Sequence, residues 1–123
     1  MPSPRPVPDP ALRLLRRKIR FGTEPDNPTL FPLWRMQEEA VLIGTADTEA
    51  RRGLFEGQFR LLLDTVMDEL VPRHWRCQCL DHIHTPLGSL HRLADDDASR
   101  RHVRQLLWEL SVSSRYVQHS LIG

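Results

Sequence analysis

Apolar residues along the chain recur at three- and four-residue intervals, the pattern of helices that bury one stripe. The first stripe is Ala11, Leu12, Leu15 and Ile19, with Arg13, Arg16, Arg17 and Arg20 on the remaining surface. Asp9 as N-cap and Pro10 at the first helical position start this segment, and Gly22 stops it. A second helix is expected over residues 33–43, with Leu33, Trp34, Gln37, Ala40 and Val41 inward and Gly44 as its stop. Asp47 or Thr48 caps the third and best-patterned segment, which runs to about Val71. Its Phe55, Phe59, Leu62, Leu63, Val66, Met67 and Leu70 form one wide apolar face. Pro72 ends or kinks it.

Residues 73–84 fit a further helix with Trp75, Cys79, Leu80 and Ile83 inward. Thr85-Pro86 restarts the chain as cap and first position of a short helix carrying Leu87, Leu90 and Leu93. Asp95-Asp96-Asp97 then places negative charge where a helix N-terminus favours it. The helix that follows buries Val103, Leu106, Leu107 and Leu110. Ser111-Val112-Ser113 reads as a stop and restart, with Ser113 capping a last piece that carries Val117 and Leu121. No stretch alternates with period two, and no Asn-Gly or Asp-Gly hairpin signal is present. The expected class is all-α: a compact bundle of about five helices, an extended Pro-rich N-terminal arm and a basic amphipathic first helix.

Proline and charge divide this pattern further. Five of the ten prolines stand at positions 2, 4, 6, 8 and 10, which predicts an extended arm, and three more fall in residues 23–32, an irregular connector. The expected organisation is therefore arm and basic helix over 1–22, connector over 23–32, and helical domain over 33–123. At 123 residues, one domain is the natural expectation. The net charge of +1 hides an asymmetry: residues 1–22 carry six Lys/Arg and one acid (+5), residues 23–123 eleven and fifteen (−4). Arg13, Arg16, Arg17, Lys18 and Arg20 are accordingly the candidate partner-binding residues. The same basic and apolar faces suit an acidic protein surface, a phosphate backbone, an anionic membrane, or the chain's own acidic body.

Other classes are disfavoured. No apolar run approaches the roughly 18 residues of a membrane span, and the N-terminus lacks the 7–15-residue apolar stretch of a secretory signal. Cys77 and Cys79, one residue apart, cannot form a disulfide framework. A reducing, cytoplasmic setting is expected, with mitochondrial import of the Arg-rich Ala11–Arg20 segment as the alternative. The sequence has no G-x-S-x-G, H-E-x-x-H, Walker A or G-x-G-x-x-G motif, so no enzyme activity is expected. A small helical interaction protein (an adaptor, an assembly factor or a minor subunit of a larger complex) is the leading expectation, its partner a protein with an acidic surface.

Two segments carry alternatives. His74, Cys77, Cys79, His82 and His84 lie within eleven residues and are the ligand types that Zn or haem iron takes. Their C-x-C and H-x-H spacing differs from the wider spacing of structural zinc sites, and on a helix Cys77 and Cys79 point apart. Leu107 to Leu121 is similar to bacterial helix-turn-helix segments, with Leu110, Val112, Val117 and Leu121 as the apolar joint. The resemblance implies a DNA-binding regulator in which Ser114, Arg115 and Gln118 face base edges and His119 or Tyr116 a phosphate. Leu107 and Ser111 stand where that pattern has a small residue and the turn glycine. Asp81 to Leu87 also resembles the phosphoacceptor box of sensor histidine kinases, with Asp81 where that family has its phosphorylated histidine. Arg76 and His82 match the Arg-x4–6-His spacing of a helical ribonuclease superfamily.

Overall fold

The structure is a computed structural model that describes residues 9–44 and 46–122. Among these residues the chain forms six helices and no strand. They are α1 (Pro10–Phe21), α2 (Leu30–Ala40), α3 (Thr48–Val66), α4 (Arg73–His82), α5 (His84–Leu93) and α6 (Asp97–Ile122). The five-helix bundle expected from the pattern is α2–α6, and α1 joins it as a sixth member. The Pro-rich arm over residues 1–8 lies outside the described residues.

Local chemistry sets the start of α1 and α3 as the sequence suggests. The Asp9 carboxylate accepts from Ala11 N with Pro10 in the first turn, and the Asp47 carboxylate accepts from Glu49 N and Ala50 N. Gly22 closes α1 in the left-handed conformation, φ 60° and ψ 42°, while Thr23 N donates to the Lys18 carbonyl. A Cβ there would lie 2.9 Å from both Val71 Cγ1 and Trp75 Cδ1.

Other boundaries differ from expectation. α2 starts at Leu30, because Pro32 falls in its first turn, where no backbone donor is needed. It buries Leu30, Phe31, Trp34 and Glu38, whereas Leu33, Ala40 and Val41, expected inward, face out. α3 ends at Val66, not near Val71. The buried Arg76 Nε donates to the Val66 carbonyl at 2.8 Å, and the Asp68 carboxylate accepts from Leu70 N at 3.0 Å. The chain turns at that point and leaves Leu70 95% exposed. α5 begins at His84, so Thr85 and Pro86 lie within its first turn and Thr85 is no cap.

α3 is the hub, packing against α1, α4 and α5; α2 packs on α1, and α6 on α4 and α5. One apolar cluster runs through all six helices: Leu15 and Ile19, Phe31 and Trp34, Phe59 and Leu62, Trp75 and Cys79, Leu87 and Leu90, and Val103 to Leu121. At its centre, Phe31 is stacked between Trp75 (centroids 4.5 Å apart) and His82 (4.1 Å), and Trp75 Nε1 donates to the Ile19 carbonyl at 2.8 Å. The core therefore begins at α1, not at residue 33. Leu15 and Ile19 insert the first helix into it, and α1 is not a detachable element.

Candidate functional site

The basic residues of α1 were the first candidates, and the structure commits most of them internally. Arg16 pairs with the buried Glu38 on α2, Lys18 with Glu24 (2.7 Å), and Arg20 with Asp68 in the α3–α4 turn (2.8 Å). The Arg20 guanidinium holds the Asp68 carboxyl below its ordinary range, while burial pushes Glu38 up against the pull of Arg16. Among the described residues only Arg13 and Arg17 of the five remain exposed and without an ion pair. The helix has folded back on the acidic body.

The Cys/His segment is not drawn together either. Cys79 is fully enclosed in the core, and burial pushes its thiol up to about 12. His74 faces Asp26 across 3.2 Å at the surface, Cys77 is half-buried, and His84 is exposed at the start of α5. Among the described residues no three His, Cys, Asp or Glu side chains are placed to hold a metal ion. The Arg76–His82 pair is separated as well: Arg76 caps α3 while His82 lies on Phe31.

His82 has a structural task. Its ring stacks on Phe31 at an interplanar angle of 19°, and burial together with the nearby Arg35 cation holds it below its ordinary value. A histidine so shifted takes its proton less readily folded than unfolded, so its support is complete above about pH 6.5 and is lost as pH falls. His82→Phe keeps a ring on Phe31 that cannot charge. Its urea midpoint relative to the unsubstituted protein should rise between pH 7.5 and 5.5; a constant difference over that range would contradict this role.

A cleft of about 400 Å3 opens between the first half of α3 and the start of α6. Most of its polar groups pair with one another, while the enclosed Arg52 Nε has no partner among the described residues. Arg52 donates to Glu49, Asp95 and the Leu93 carbonyl, Glu56 pairs with His102, and Asp96 and Ser99 cap α6 reciprocally. The acidic triplet 95–97 thus serves the helix start and its tether to α3.

The C-terminal segment departs most from expectation. α6 is one continuous helix of 26 residues, roughly 39 Å long, with no turn at Ser111-Val112-Ser113. A helix-turn-helix needs two helices crossing at a turn, so that arrangement is absent. Ser114 is half-buried, Arg115 and Gln118 are exposed, and the His119 side chain lies outside the described residues. Val103, Leu106, Leu110, Val117 and Leu121 bury one face over the whole length.

The opposite face of α6 is a surface that sequence reasoning missed. Trp108 is 66% exposed, Val112 47% and Tyr116 72%. At 100° per residue, these three and Arg101, Arg104 and Arg115 fall within an arc of about 120°, directly away from the buried stripe. The three arginines are exposed and, among the described residues, unpaired. The nearest acids on α6 are engaged elsewhere: Asp97 with Arg100 (2.9 Å), and Glu109 with Arg60 of α3. The signal was present as Trp108, Val112 and Tyr116 at i, i+4 and i+8, but the expected break at Ser111 divided it between two helices.

No family model matches the chain, and no curated protein or solved structure matches it significantly. Among the described residues no helix is long and apolar enough to cross a membrane.

Proposed function

We propose that the chain is a small helical interaction protein, an adaptor, assembly factor or minor subunit, that contacts a partner with an acidic surface and carries no catalytic role of its own. The observation that carries this reading is the outward face of α6, where two exposed aromatics and a valine stand among three unpaired arginines. Trp, Tyr and Arg are the side chains enriched where interfaces draw their binding energy. α1 contributes its two unpaired cations, Arg13 and Arg17.

Site-specific photocrosslinking in the native host tests the reading. A photoreactive residue replaces Trp108, Tyr116 or, in a separate variant, the exposed Glu69 in the α3–α4 turn. The expected result is one discrete protein conjugate, shared by positions 108 and 116 and absent from 69. No conjugate from either α6 position, or a conjugate to nucleic acid, would refute it.

A further inference from the structure

The exposed residues of α6 have a geometry that selects among acidic partners. Trp108, Val112 and Tyr116 follow four-residue spacing, which forms a ridge inclined to the helix axis. Ridges of this kind seat in the grooves of another helix, most often at a crossing angle of about 50°. Arg104 continues the line of the ridge toward the N-terminus, and Arg101 and Arg115 flank it on opposite sides. A partner helix seated there would meet a guanidinium group on each side of the ridge and one at its N-terminal end.

We infer that this face docks an acidic amphipathic helix of a partner protein, whose apolar positions straddle Trp108, Val112 and Tyr116 and whose carboxylates pair with Arg101, Arg104 and Arg115. The inference rests on the reading of the chain as an interaction module and names the partner's chemistry. Charge complementarity is what decides the occupant. Between Arg101 and Tyr116 the arc holds no carboxylate, so a second copy of this chain would bring six uncompensated arginines into one interface. A lipid surface would find one valine and two polar-tipped rings between the cations, a small apolar area for insertion. A nucleic-acid strand would gain phosphate contacts but would have no use for the valine between the rings. The exposed aromatics supply roughly 100–180 Å2 each, against about 800 Å2 on one side of a standard interface. The contact is accordingly a weak one, with a Kd in the micromolar range or above.

The test uses the full chain and reads Trp108 fluorescence, since Trp34 and Trp75 are fully enclosed. The probe is a blocked 22-residue peptide of Leu, Ala and Glu with leucine at every fourth position and glutamate flanking it. A matched peptide carries Lys in place of Glu. The original protein should bind the Glu peptide saturably and the Lys peptide at least tenfold more weakly. The exposed pair Arg104→Glu and Arg115→Glu should reverse that preference, and Tyr116→Ala should weaken the Glu peptide at least fivefold. The inference fails if the Glu peptide gives no saturable signal or if the charge reversal leaves the preference unchanged. It fails equally if a 20-nucleotide single strand or a phosphatidylserine vesicle binds more tightly than the Glu peptide. Such a failure with the photocrosslinks from positions 108 and 116 intact would remove the acidic helix and leave the interaction module; loss of those conjugates would remove the module itself.

Discussion

Trp75→Ala is expected to lower the unfolding free energy by about 3–5 kcal/mol, a large part of what a domain of this size has. The reason lies in how many elements the indole joins. It is fully enclosed on α4, stacks on Phe31 of α2, and donates to the Ile19 carbonyl in the last turn of α1. Truncation leaves a ring-sized void among α1, α2 and α4 and removes the shorter of the two hydrogen bonds to that carbonyl, leaving the one from Gly22 N at 3.4 Å. Urea titration at pH 7 checks this, with Trp75→Phe as the companion. The phenyl ring retains much of the stack, so its loss should be smaller, with about 1 kcal/mol belonging to the hydrogen bond. A loss under about 1 kcal/mol for Trp75→Ala would show that α1, α2 and α4 do not meet as described.

Gly22→Ala should cost about 2–4 kcal/mol. Two effects combine. The left-handed conformation at φ 60° strains any residue with a Cβ, and the added methyl would lie 2.9 Å from both Trp75 and Val71. Alanine's smaller unfolded-state entropy returns only about 0.4–1 kcal/mol. Because Trp75 is one of the two contacts, the effects should not add: in a Trp75→Ala background Gly22→Ala should cost measurably less. Equal costs in both backgrounds would place Gly22 away from Trp75.

Much of this architecture could be read in the sequence, and the misreadings have specific physical causes. Asp9-Pro10, Gly22 and Asp47 act through local hydrogen bonds and backbone conformation, so neighbouring residues suffice to place them. α2 was misplaced because it is apolar on two sides. Leu33, Met36, Ala40 and Ile43 form a stripe as regular as the buried one, and only Trp75, His82 and α1 decide which side turns inward. α3 was overextended because its end is fixed by Arg76 and Arg20, ten residues downstream of Val66 and forty-eight upstream of Asp68 in the chain. No local pattern contains that information.

α6 was divided at Ser111-Val112-Ser113 because serine is a frequent helix cap. The segment contains neither Gly nor Pro, and the spacing Val103, Leu106, Leu110, Ser113, Val117 continues without interruption. The uninterrupted stripe outweighs the serine cap signal and keeps Trp108, Val112 and Tyr116 on one helix.

Of the surfaces that suit the basic first helix, the chain's own acidic body takes up part of its charge. The excess positive charge of residues 1–22 is partly matched within the fold, by Glu38, Glu24 and Asp68. An ion pair at the surface contributes little and one with a buried carboxylate must first offset its desolvation, so what holds α1 is chiefly Leu15, Ile19 and the Trp75 hydrogen bond, with the pairs setting its orientation. α6, with four arginines against two acids, keeps three unmatched cations on one exposed face, and α1 keeps two, Arg13 and Arg17.

α1 belongs to the same apolar core as α3 and α4. Native-state hydrogen exchange of the full chain tests it most directly. Amides from Leu15 to Ile19 should exchange with the same opening free energy as those from Leu62 to Val66 and should follow them in urea. Exchange of the α1 amides through a separate, lower-energy opening while α3 stays protected would contradict it, and would return α1 to the role of a detachable binding element.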